Sequence, residues 1–141
     1  MKTIVIYSSK TGATKYYAEA ISRAIPDSTL VSIDKEHPDL QGYDRVILGA
    51  GVRMGKAYGP MRKFMKKQLP VLLEKQTAIF FCNGAPETFQ ATVEKSVPEQ
   101  LHSSAVALSC LRGTEPFKKA DETTGWKDEG ALEAFVREVR G

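Results

Sequence analysis

The sequence predicts an α/β protein built on a parallel sheet. Three observations predict it. Five short apolar runs recur along the 141 residues, and stretches of helical spacing separate them. The runs are nearly continuous in apolar character rather than alternating, as strands are when helices cover both faces. Right-handed crossovers then leave few topologies.

Each element follows from its residues. Thr3–Ser8 is the first strand. Ala13–Ile25 carries an apolar stripe near positions 17, 18, 20, 21, 24 and 25, and Pro26 and Asp27 stop that helix. Leu30–Ile33 is the second strand, and His37–Tyr43, with Pro38 and Gly42, is a loop or short turn. Arg45–Ala50 is the third strand, followed by a loop marked by Gly51, Gly55, Gly59 and Pro60. Met61, Phe64, Met65, Leu69, Leu72 and Leu73 then space as a helix that Pro70 interrupts. Thr77–Cys82 is the fourth strand, Asn83–Pro86 a turn, and Glu87–Ser96 a helix. Ala105–Cys110 is the fifth strand and 112–125 a polar loop. Asp128 is placed to cap a last helix, Glu129–Arg140.

Composition narrows the class. Hydrophobic residues make up 42% and charged residues 26%, which excludes a disordered tail, a collagen-like repeat and a disulfide-stapled mini-protein. No run approaches the roughly 18 apolar residues of a membrane span. The apolar run Ile4–Tyr7 is too short for the core of a signal peptide. Cys82 and Cys110 have neither metal nor disulfide spacing. The expectation is a cytoplasmic monomer, one domain over 1–141, with reduced thiols. Net charge is +3, but residues 51–75 hold seven cations (Arg53, Lys56, Arg62, Lys63, Lys66, Lys67, Lys75) against Glu74 alone. Such a stretch is a solvated face or a patch for an acidic partner or anion. The stretch carries no recognised nucleic-acid-binding motif, so nucleic acid is not expected.

In a sheet of this kind ligands sit beyond the C-terminal ends of the strands, where strand order reverses. The loop after the first strand, Ser8–Thr14, holds four hydroxyls where a plain capped turn needs one. Ser8, Ser9, Thr11 and Thr14 surround Gly12 at a helix start. Unpaired N–H groups and the positive end of the helix dipole bind anions there, so the loop reads as a phosphate site. The spacing fits neither a Walker A loop nor a dinucleotide fingerprint. After the third strand, Gly51 and Gly55 predict close backbone approach or positive φ. After the fourth, Asn83, Gly84 and Ala85 form the turn that completes the rim. His37 and His102 stand isolated. Ser8, Ser9 and Ala50 occupy the places where a phospho-accepting response regulator needs acids.

The stretch Val5–Ile21 resembles the flavodoxin signature: two apolar residues, an aromatic, then Ser/Thr-x-Thr-Gly-x-Thr running into a helix. The resemblance implies a flavodoxin-like three-layer sandwich with a five-stranded parallel sheet in the order 2-1-3-4-5, and FMN as cofactor. Flavodoxins are themselves the standing example of FMN at such a switch point. It further implies that Ser9, Thr11, Gly12, Ala13 and Thr14 hold the phosphate, with Lys10 contributing backbone. Gly51, Val52, Arg53, Met54 and Gly55 would flank the flavin ring, with Met54 and Gly55 at the peptide that answers the flavin's redox state. Asn83, Gly84 and Ala85 would border the pyrimidine end. The implied function is an electron carrier that meets redox partner proteins near the flavin, with no catalytic side chain. Tyr43–Gly55 and the Leu132–Val139 stretch also resemble the flavodoxin-type protoporphyrinogen dehydrogenases, whose loop carries a similarly placed Arg. The chain lacks their extra basic, aromatic-rich segment after the fifth strand; only Phe117, Lys118 and Lys119 stand there as remnants. An FMN oxidoreductase of that kind is the second expectation, and a flavin-free module of the same fold the third.

Overall fold

Strand β1 (Thr3–Ser8) is buried along its whole length, because its neighbours pair with it on both sides and helices cover both faces. Strands β2 (Ser28–Ser32) and β3 (Arg45–Arg53) lie parallel on either side of it. The computed structural model describes residues 1–114, 119–122 and 125–141. Phe117 and Lys118 fall outside the described residues. The chain continues through a two-residue strand β4 (Lys56–Ala57), strand β5 (Gln76–Asn83) and strand β6 (Ala107–Arg112). The five long strands are all parallel, in the order β2-β1-β3-β5-β6. That is the predicted 2-1-3-4-5 order. β4 is an addition: it pairs antiparallel with the end of β3, Val52 opposite Ala57 and Arg53 opposite Lys56.

The helices are α1 (Ala13–Ala24), α2 (Gly59–Lys67), α3 (Leu69–Leu72), α4 (Phe89–Ser96), α5 (Glu99–Ser104) and α6 (Glu129–Arg140). Alternation along the strands divides the core into two layers. Ile4, Ile6, Leu48, Ile79 and Phe81 face Met61, Met65, Leu72, Val93 and Leu101 of α2 to α5. Val5, Tyr7, Ile47, Ala78 and Phe80 face Tyr17 and Ile21 of α1 and Leu132, Phe135 and Val139 of α6. Asp128 caps α6 as expected, its side chain accepting from the Ala131 N–H at 3.2 Å.

Several element boundaries differ from the sequence reading by a few residues, and one helix is new. β2 begins at Ser28 rather than Leu30, because Thr3 and Ile4 pair with Ser28 and Thr29. β3 runs three residues beyond Ala50, since its end finds a partner in β4. Residues 86–88 form a single 3-10 turn before α4. α5 is a helix the periodicity did not reveal. It ends with the Ala105 N–H bonded to the Leu101 carbonyl, which delays β6 to Ala107.

Candidate functional site

The C-terminal ends of β1, β3, β5 and β6 surround a cleft of about 390 Å³, within the range of small-ligand sites. Among the described residues, no acid lines it. Of the residues proposed from sequence, Thr11, Ala13, Gly51, Val52, Arg53, Met54, Gly55, Asn83, Gly84 and Ala85 line this cleft. Ser9, Lys10, Gly12 and Thr14 belong to the loop that supports it and are not part of its lining. Tyr58, Cys82, Thr88, Gly113 and Thr114 also line it, and the sequence reading did not place them in a site. For Gly113 and Thr114 the signal was available, because they follow a strand end on the same rim. For Tyr58 it was not, because the β3–β4 hairpin brings it back.

The loop before α1 builds one wall. Gly12 has φ 98°, and it precedes a helix with no side-chain cap and no acid in its first turn. The first-turn N–H groups therefore keep most of their donor capacity and the dipole end stays positive. Within the loop, Ser9 Oγ accepts from the Gly12 N–H at 3.2 Å, and Thr11 Oγ1 from the Ala13 N–H at a long 3.5 Å. Asp34 fixes the entry to the loop: Ser8 Oγ donates to one carboxylate oxygen at 2.9 Å and the Ser9 N–H to the other at 3.1 Å. On the outer side the Ala120 N–H donates to the Thr11 carbonyl at 2.7 Å, and Trp126 Nε1 donates to the Ala120 carbonyl at 3.1 Å. Segments far apart in sequence thus hold the loop in shape. Thr14 is buried and its hydroxyl bonds inward to Cys82.

The second wall is the β3–β4 hairpin. Met54 (φ 54°) and Gly55 (φ 78°) form its two-residue turn, both with positive φ. A left-handed Met carries strain of order 1 kcal/mol, and its side chain is 95% exposed. Gly51 meets the expectation of close approach: a Cβ there would lie 2.5 Å from Tyr58 Cζ. Tyr58 is buried, and burial holds its hydroxyl above the usual range for tyrosine. Lys10 Nζ lies 5.1 Å from the centre of that ring.

The third wall is the turn after β5. Asn83 is buried; its Oδ1 accepts from the Ala85 N–H at 2.9 Å and its Nδ2 donates to Thr88 Oγ1 at 3.0 Å. Both ends of the Asn83 amide and the Ala85 N–H therefore serve the turn itself. The Gly113 N–H donates to the Asn83 carbonyl at 3.3 Å, and Gly84 packs against the Thr114 carbonyl.

Burial raises the Cys82 thiol from its ordinary 9.0 to about 12, outweighing the hydrogen bond from Thr14. Cys110 sits on the opposite face of the sheet, paired with Phe81, while Cys82 pairs with Leu111. The two thiols do not face each other. We expect native Cys82 to resist iodoacetamide at pH 8 and to react once urea unfolds the chain; native alkylation at Cys82, read by peptide mass, would contradict this burial. The unfolded thiol ionises near 9 while the folded one stays protonated to about 12, so its contribution to stability is lost as pH rises through that window. The Tyr17 hydroxyl, also raised by burial, acts in the same direction.

Comparison with known proteins agrees with this architecture. The family model "Flavodoxin domain" matches residues 4–119. Protoporphyrinogen IX dehydrogenase [quinone] of Escherichia coli (strain K12) is 26% identical over 88 residues, covering 59% of this chain and 49% of that protein. The chain thus matches about half the length of that relative. Oxidised flavodoxin 1 from Bacillus cereus superposes with a TM-score of 0.66 at 21% identity, over 99% of this chain and 98% of that one. A flavoprotein from Lactobacillus acidophilus NCFM, solved in complex with FMN, superposes with a TM-score of 0.64 at 20% identity, over 77% of this chain and 92% of that one. No helix among the described residues is long and apolar enough to cross a membrane. With the family match spanning most of the chain, and a parallel sheet in the matching order, the chain belongs to the flavodoxin family.

Proposed function

We propose that this chain binds one FMN in the cleft between β1, β3 and β5 and serves as a low-molecular-weight electron carrier. The observation that carries the reading is the uncapped start of α1, with Gly12 at φ 98°, beside a cleft that no acid among the described residues lines. An N-terminal dipole with no acid in its first turn fits a phosphate. Bound FMN supplies one- and two-electron redox chemistry; the protein supplies position and field.

The residues divide that work. The hydroxyls of Ser9 and Thr11 and the backbone of Lys10, Gly12, Ala13 and Thr14 hold the phosphate end. Gly51, Val52 and Gly55 line the side of the cleft assigned to the planar ring. The Met54–Gly55 turn presents its peptide at the tip of a two-residue hairpin, where rotation disturbs no strand pairing. Gly84, with Asn83 and Ala85 bracing the turn, borders the far edge. Arg53 places a cation at the rim of the cleft, which favours the negative charge that reduction adds. No side chain is assigned as a general acid or base. Redox partner proteins meet the protein at this rim.

The match to the E. coli dehydrogenase favours a second reading, an FMN oxidoreductase with a substrate of its own. Anaerobic stepwise reduction of the FMN-loaded protein separates the two. The carrier gives two resolved one-electron stages, with long-wavelength absorbance at the midpoint. Direct two-electron bleaching, together with oxidation of a porphyrinogen in the presence of a quinone, would replace it with the oxidoreductase.

A further inference from the structure

A second cavity, also about 390 Å³, opens beside the first. Lys10, Arg53, Lys56 and Arg62 line it, and among the described residues no carboxylate does. It shares Arg53, Met54 and Tyr58 with the cleft already described. Arg62 is held in place, its Nε donating to the Ala57 carbonyl at 2.8 Å. The positive surface does not end at the cavity. Lys63, Lys66 and Lys67 are exposed along α2, whose first turn has no acid. At the edge of this field stands Met54, a large apolar side chain 95% exposed on a strained turn.

We infer that this surface docks an acidic electron-transfer protein, whose carboxylates enter the cavity while Met54 makes the apolar contact at its edge. The inference rests on the carrier reading above and names the chemistry of its partner. Two observations favour a protein over a small anion. The cations continue for the length of α2, about 13 Å, farther than one small anion reaches. Met and Arg are both enriched at protein interfaces, and a 95% exposed Met54 adds nothing to an anion pocket. Complementary charge on this side would steer the partner toward the rim that Arg53, Met54 and Tyr58 share with the cleft.

The test uses an oxidised plant-type [2Fe–2S] ferredoxin, an acidic carrier, as the probe, so that no electron passes on mixing. Its binding is followed by calorimetry at about 20 mM salt, where screening extends over about 20 Å. Two charge-reversal variants are compared. Lys56→Glu with Lys63→Glu alters the proposed surface. Lys35→Glu with Arg137→Glu makes the same change in net charge at exposed positions on a β2-side turn and on α6. We expect the first pair to weaken binding about tenfold or more and the second less than about threefold, with the difference fading at high salt. Equal weakening by both pairs would reduce the effect to net charge and overturn the inference. No binding by the unaltered protein would overturn it too. FMN uptake is measured on all three proteins in parallel. If none takes up FMN, the carrier reading fails on its own, whatever the ferredoxin does.

Discussion

Replacing Gly49 with Ala should destabilise the fold by about 3 kcal/mol, the upper part of the range for overpacking a core. Gly49 lies mid-strand in β3, directly opposite Phe80 of β5. A Cβ at 49 would sit 2.1 Å from Phe80 Cζ and 2.4 Å from Cε1. Phe80 cannot yield, because it is fully buried and packs edge-on against Phe135 at 5.6 Å between ring centres. For a chain of this size about 3 kcal/mol corresponds to roughly 6–12 °C in Tm. The collision is with the ring, so the double variant Gly49→Ala with Phe80→Leu should recover part of the loss. Urea unfolding of the three proteins checks both statements. Wild-type stability in Gly49→Ala would mean that β3 and β5 are not packed as described.

Gly12→Ala should be milder for folding and more severe for ligand binding. At φ 98° an L-residue carries strain of about 1–2 kcal/mol. The new methyl would also meet Ala120 Cβ at 3.3 Å. The loop can relieve both only by moving the N–H groups assigned to the phosphate. FMN affinity should therefore fall about tenfold or more, the effect of losing about 1.4 kcal/mol of binding. Gly42→Ala supplies the control. Gly42 has a similar φ of 87°, and a Cβ added there would meet nothing within 4 Å. It should cost comparable stability and leave FMN affinity unchanged. Equal FMN affinity in Gly12→Ala and Gly42→Ala would remove the Ser9–Thr14 loop from the site.

The fold was largely readable because it depends on patterns that survive in one dimension. β1, β3 and β5 are apolar on both faces, and the turn into α1, the stop of α1 and the cap of α6 are written locally in Gly12, Pro26 and Asp128. α5 was not readable. Its six residues, Glu99–Ser104, bury only Leu101, so no stripe marks it. The β3–β4 hairpin was hidden for a different reason. Its turn uses Met54 in a left-handed conformation that sequence assigns to Gly or Asn, so the pattern alone ends the strand at Ala50. The site shared this division. Glycines that permit close approach were visible as glycines. The alliances that hold the walls were not: Asp34 with Ser8 and Ser9, Ala120 with Thr11, and Tyr58 over Gly51 all join residues that the strand pattern does not bring together. Asn83 shows the converse. Its residue type suggests a ligand donor, but its amide is engaged within its own turn.

Titration of FMN with the purified chain decides whether the cleft at the ends of β1, β3 and β5 is an FMN site. Flavin fluorescence is followed to saturation, with riboflavin as the ligand that lacks the phosphate. A site built around the α1 loop gives a 1:1 complex with FMN and markedly weaker binding of riboflavin, because that loop acts on the phosphate. Equal affinity for the two flavins, or no saturable change with either, would contradict it.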